Sequence, residues 1–261
     1  MREMKIGRHR VEVYDAIDEL PVARFHKYNK MLLVDSGVGS DLSDFDRHIE
    51  KAMRLAAGKT PKDAITELQS LRQCVYFIQT GLSPRHLAFA ALVKSIDGEA
   101  CDDLSDDALR RVTERLSDAP QKDVASGLEA CKKKIDAELR EYFPSLFDDA
   151  ELKEYYDRMR ARTIAVLGVI AKGEATDEDE RRINELTDAL ITYFRPQSFS
   201  GPESVEIQHD KQFEKMCLIL SQSLHVDPKG FSVLQYYNAF EFIKEQARKA
   251  RKGTKTPISR G

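Results

Sequence analysis

Tryptophan is absent from this chain, cysteine is scarce, and no apolar run is long. The four cysteines among 261 residues, Cys74, Cys101, Cys131 and Cys217, stand far apart and form no C-x-x-C pair. That spacing excludes a zinc ribbon and a disulfide framework; three of the four fall inside helical patterns as small apolar residues, so reduced thiols of a cytoplasmic protein are expected. The longest apolar stretch, HLAFAALV, is far short of the eighteen or so residues of a membrane helix. The first residues, MREMKIGRHRVEVYD, are charged and hold no apolar signal core, which leads us to expect neither secretion nor a membrane partner. Equally missing are G-x-S-x-G, H-E-x-x-H, the Walker loop and the dinucleotide fingerprint, and with them the commonest routes to catalysis. IDGEACDDLSDDA is acidic enough to evoke calcium, but its glycine directly follows Asp97 and no terminal glutamate closes the loop, so the EF-hand spacing fails. No cofactor and no metal are expected.

What is present is charge and helical period. Apolar residues make up 41% of the chain and Asp, Glu, Lys and Arg 33%, the balance of a helical protein. The stretch from Leu20 to Ala57 sets the style. Pro21 opens a helix whose Val22, Phe25, Leu32 and Leu33 share a face, with Arg24, Lys27 and Lys30 turned away. Asn29 lies on the apolar stripe, where an interior amide bonded to a neighbouring loop is the expected role, ahead of a ligand-facing one. Gly37 and Gly39 stop this helix. A second restarts at a Ser40 or Asp41 cap and repeats Leu42, Phe45, Ile49, Met53 and Ala56, with Asp44 and His48 one turn apart on its border as a surface ion pair. The Gly-x-Gly loop joins two helices and lacks the Lys-Ser/Thr of a phosphate loop.

The same unit recurs. Thr60-Pro61 opens a helix with Ile65, Leu68, Leu71, Val75, Ile78 and Leu82 on its apolar face. Ser83-Pro84 caps another, whose Leu87–Val93 segment is apolar on every side and is therefore expected at the centre. Asp97-Gly98 is a turn, and Ser105 caps the short helix of Leu109, Val112 and Leu116. A long helix carries Val124, Leu128, Cys131, Ile135, Leu139 and Tyr142 inward. After Pro144 come helices with Leu152, Tyr155, Tyr156, Met159, Thr163, Val166 and Ile170, then with Ile183, Leu186, Leu190 and Phe194 behind a Thr176/Asp179 capping box. Residues 197–204 read as a linker. Phe213, Met216, Cys217, Leu220 and Leu224 mark the next helix. Ser232–Gln235, with Phe231 and Tyr236 as a hydrophobic staple, opens the last. Weak alternation in residues 4–14 reads as a short hairpin or an added edge strand. The expected fold is thus all-α, a bundle of about ten helices with a short N-terminal hairpin, divided into residues 1–147, 148–250 and a basic flexible tail, 251–261.

Net charge is −3, yet from Lys244 onward seven Lys/Arg face one Glu, leaving −9 on the body. An acidic body with a basic end speaks of partners. DELPVARFHKYNKMLLVDSGVGSDLSDFDRHIEKA and VDPKGFSVLQYYNAFEFIKEQARKARKG resemble stretches of helical structural and tail-assembly proteins of tailed phages, particularly those of Bacteroides-type hosts. The resemblance implies a non-enzymatic protein of virion assembly, working in an oligomer or larger assembly through protein contacts. Tyr237, Phe240, Arg248, Lys249, Arg251 and Lys252 are the expected partner-binding residues. A second reading puts Arg248, Lys249, Arg251, Lys252 and Lys255 on nucleic-acid phosphates. A third makes His48, His209 and Asp210 the ligands of a metal-dependent phosphohydrolase, because His209-Asp210 supplies an adjacent His-Asp pair.

Overall fold

Two tight turns start the chain's small sheet, and both rest on backbone that most residues avoid. In the computed structural model, which describes residues 1–35, 42–58, 61–147, 150–193 and 196–253, Gly7 takes φ 57° between strands β1 (Arg2–Ile6) and β2 (His9–Val13). The chain continues through α1 (Val22–Leu33), α2 (Leu42–Ala57), α3 (Pro61–Thr80) and α4 (Pro84–Leu92). There it switches directly into β3 (Val93–Ile96), turns at Asp97-Gly98 and pairs β4 (Glu99–Ala100). Asp97 at φ 53° and Gly98 at φ 86° form the two-residue loop that the right-handed twist of a hairpin favours. Then follow α5 (Asp106–Arg115), α6 (Gln121–Tyr142), α7 (Ala150–Lys172), α8 (Asp177–Tyr193), α9 (Val205–Leu224) and α10 (Val233–Gly253). Among the described residues the molecule is a mostly-α bundle of ten helices with one antiparallel sheet, ordered β1-β2-β3-β4.

The contiguous division at 147/148 is not the one the contacts make. Unit 1 is assembled from Met1–Asp35, Gly81–Phe143 and Glu206–Gly261, and unit 2 from Ser36–Thr80 and Pro144–Val205. Unit 2 thus consists of two helical hairpins, α2–α3 and α7–α8, each leaving and rejoining unit 1. The expected Gly37/Gly39 stop, the Ser40/Asp41 cap, Thr60, Phe194, Lys255 and the rest of 254–261 lie outside the described residues, as do the side chains of Leu42, Asp44, Arg251 and Lys252. The helical backbone of α10 nevertheless runs through Arg251 to Gly253, past the point where the basic tail was expected to begin.

Unit 1 holds the core. Residues Ala88 to Val93 are buried to 1% exposure or less, with Leu87 packed at their edge, as a helix without a polar side demands. Around them pack Val11, Val13 and Ile96 from the sheet, Phe25, Tyr28 and Met31 from α1, Leu109 and Val112 from α5, and Leu128, Cys131 and Ile135 from α6. Gly127 lets α6 close in: a Cβ there would sit 3.0 Å from Met4 Sδ and 3.1 Å from Phe89 Cε2. Tyr142, expected inward, is exposed, because α6 ends there and only Phe143 turns into the core.

Arg24 corrects the reading of α1. Rather than facing solvent, it is 4% exposed. Its guanidinium donates to the carbonyls of Ala91 (3.3 Å), Val93 (2.8 Å) and Cys101, and lies 5.3 Å from the Tyr14 ring centre. A helix that becomes a strand in one step leaves carbonyls without helical partners, and the five-donor guanidinium satisfies them.

Candidate functional site

The starts of α1 and α10 are stitched together, and that junction helps to enclose an apolar hollow in unit 1. Val22 N–H donates to the Phe231 carbonyl and Val233 N–H to the Leu20 carbonyl, both at 2.9 Å, flanking an antiparallel bridge between Pro21 and Ser232. The capping box expected at Ser232 is formed: Ser232 N–H donates to Gln235 Oε1 and Gln235 N–H to Ser232 Oγ. Helix α9 packs alongside through Phe213, Met216, Cys217 and Leu220, joined by Tyr236, Phe240 and Ile243 of α10. A cavity of about 280 Å3 remains, lined by Val22, Phe25, His26 and Asn29 of α1, Phe213 of α9, and Tyr237 and Phe240 of α10, among others. Asn29 is not bonded to a loop, as its position in the pattern implied. It lines this cavity, and its side chain makes no hydrogen bond among the described residues.

A cluster of four polar side chains borders the cavity. The His26 ring stacks on His209 (4.3 Å, 8°) and on Phe213 (4.1 Å, 12°). Its Nε2 lies 2.8 Å from Asp210 Oδ1, while Lys30 Nζ donates to Asp210 Oδ2 at 2.6 Å. The His209 Nε2–H faces the His26 carbonyl at 3.3 Å. Burial pushes both imidazoles below their ordinary pKa, aided for each by the Lys30 charge and for His26 by His209. Burial opposes ionisation of Asp210, but the hydrogen bonds from Lys30 and His26 outweigh it and hold the carboxyl below its usual range. An ionised carboxylate can only accept, so His26 carries its proton on Nε2. Both Nε2 atoms and both Asp210 oxygens are therefore engaged, and the cluster acts as a clamp between α1 and α9.

The residues grouped by the hydrolase reading fall in different units. His209 and Asp210 belong to unit 1, whereas His48 lies in unit 2 with Nδ1 2.5 Å from Glu67 Oε1. Among the described residues, no three His, Cys, Asp or Glu side chains lie close enough to share a metal ion. Of the expected partner-binding residues, Tyr237 and Phe240 face inward, and Arg248 and Lys249 are exposed along α10. Sequence reasoning missed His26 and Lys30. Their i, i+4 spacing places them on one helix face, but nothing local announces that Asp210, 180 residues after Lys30, closes on them.

Unit 2 holds a feature of another kind, a helix pair turned inside out. On α2 and α3 the buried residues are Ala52, Leu55, Ala64, Ser70, Cys74 and Glu67, the last 1% exposed and bonded to His48 and, at 2.8 Å, to Lys51. The stripes expected to face inward point out: Ile49 (44%) and Met53 (68%) on α2, and Ile65 (60%), Leu68 (51%) and Ile78 (55%) on α3. Helix α7 likewise exposes Tyr156, Met159, Ile164, Leu167 and Ile170. Arg54 joins α2 to α8 through Asp188 at 3.1 Å, so even this junction is polar. No helix among the described residues is long and apolar enough to cross a membrane. No protein-family model, curated protein or solved structure matches the chain.

Proposed function

We propose that the protein is a non-enzymatic assembly protein whose unit 2 makes the contacts. One observation carries this reading: the apolar faces of α2, α3 and α7 are exposed while the carboxylate of Glu67, held by His48 and Lys51, is buried within the α2–α3 pair. Isolated exposed leucines need no explanation, but aligned stripes on three helices do. These isoleucines and leucines are already about half buried, so covering each one fully contributes roughly half of the ~1.5–3 kcal/mol of a complete burial. Six of them would offset much of the roughly 4–15 kcal/mol that association costs. The likeness of the two quoted stretches to phage structural and tail-assembly proteins makes virion assembly the proposed setting.

Cross-linking mass spectrometry in the expressing cell tests the reading, with wild type compared to an Ile65→Lys/Leu68→Lys variant. Cross-links should concentrate on α3 and α7, and the variant should lose those from α3 while keeping its helical circular dichroism. Cross-links confined to the basic end of α10, with binding that weakens as a steep power of salt, would instead favour the nucleic-acid reading.

A further inference from the structure

We propose that α7 pairs with α7 of a second copy of this chain, antiparallel across a twofold axis at Leu167. This rests on the reading of unit 2 as the contact-making unit and names the partner for one of its faces. From Thr163 to Ala171 the helix carries no charge, TIAVLGVIA. Yet Ile164, Leu167 and Ile170 are 60%, 57% and 69% exposed. A helix segment apolar on all sides belongs in an interior.

The pattern is self-complementary, which a face built for an unrelated partner has no reason to be. In a twofold contact, residue i meets j and j meets i. Centred on Leu167, the antiparallel pairing sets Leu167 on Leu167, Ile164 on Ile170 and Thr163 on Ala171. Seven positions out on each side it sets Arg160 beside Glu174, just past the helix end. Arg160 and Glu174 are both exposed, and neither has a partner among the described residues, whereas Arg158 is bound to Glu154, Arg162 to Thr187 and Lys172 to Asp179. The same pairing brings Arg160 to the carbonyl end of the second helix, where positive charge is favoured. Gly168 adds no bulk beside the axis, since a Cβ built on it meets nothing within 4 Å. The stripe is about 22 Å long and about 10 Å wide, well under the roughly 800 Å2 per partner of a standard interface. The dimer should therefore be weak and dissociate on dilution.

Sedimentation velocity of the full chain over a concentration series provides the test. Wild type should pass from monomer to dimer. Leu167→Glu should abolish the dimer while leaving helical content and melting temperature unchanged at low concentration. Arg160→Glu and Glu174→Arg should each weaken it several-fold, and the double reversal should restore it. A wild type that stays monomeric, a Leu167→Glu variant that still dimerises, or a double reversal without rescue each overturns self-pairing. If wild type is monomeric while α7 cross-links to a different protein, only the identity of the partner fails. If neither association nor cross-links occur on α3 or α7, the assembly reading fails with it.

Discussion

His26 shows how far one side chain's role can depend on a distant segment. Its stack on His209 and Phe213 and its bond to Asp210 bind α1 to α9 in the neutral imidazole form. Because burial holds His26 and His209 below the 6.5 of a free imidazole, the unfolded chain takes up protons in that range that the folded chain refuses. Stability present above pH 6.5 is thus lost as pH falls toward the folded values, and Asp210, depressed from 3.8, extends the loss further into acid. The melting temperature of unit 1 should drop between pH 7.5 and 5.5. His26→Phe, which keeps the stack and removes one proton site, should make that dependence shallower while His209 and His86, both also lowered by burial, retain their share. An equally steep profile in the variant would place the titration elsewhere. Arg24 offers a second check. Arg24→Ala would strand the carbonyls of Ala91, Val93 and Cys101 and should cost about 3 kcal/mol or more in urea denaturation. Arg24→Lys, which lacks the fork, should recover only part of it. Neither role was legible locally: the periodicity of α1 put Arg24 outside because the burial comes from a strand that follows α4.

Among the elements, caps and the central helix were the readable features. Ser105, Thr176 and Ser232 each accept the hydrogen bond their spacing implied, from Ala108, Asp179 and Gln235. Ser83 occupies the cap position of α4 without a side-chain bond, so Pro84 alone marks that start. The sheet was half legible. Asp97-Gly98 is a hairpin dipeptide, but Val93 looked like the end of an apolar helix, and β3 with β4 went unread. Stripe direction was the real failure, since Ile65 and Leu68 obey helical period whichever way the helix faces. Period names a face; only packing says what covers it. Gly127 makes the element-scale prediction. Gly127→Ala improves helix propensity, yet its methyl would press on Met4 and Phe89, so a net loss of about 1–3 kcal/mol is expected. A gain in thermal stability would mean that α6 is free to shift.

For the whole molecule, the contrast between the units predicts unequal stability. Both buried apolar clusters lie in unit 1, while the buried apolar side chains described in unit 2 are Ala52, Leu55, Ala64 and Cys74. Hydrogen exchange should therefore find the amides of α4 and α6 slowest and those of α3 and α7 fast in dilute solution. With rising concentration, protection should increase on α7 and leave α4 unchanged. Uniform protection across both units would contradict the division.

The stitching of Leu20 to Val233 also has a consequence for synthesis. The first strands and α1 leave the ribosome early, but Val233, fully buried in the main core, arrives only after both hairpins of unit 2. At about 5–20 residues per second the wait is on the order of 10–40 s. During it α1 lacks the partner for its first turn, and the cavity beside His26 has no third wall. A nascent chain stalled before Phe231 should therefore remain protease-sensitive in α1, whereas the released chain should not.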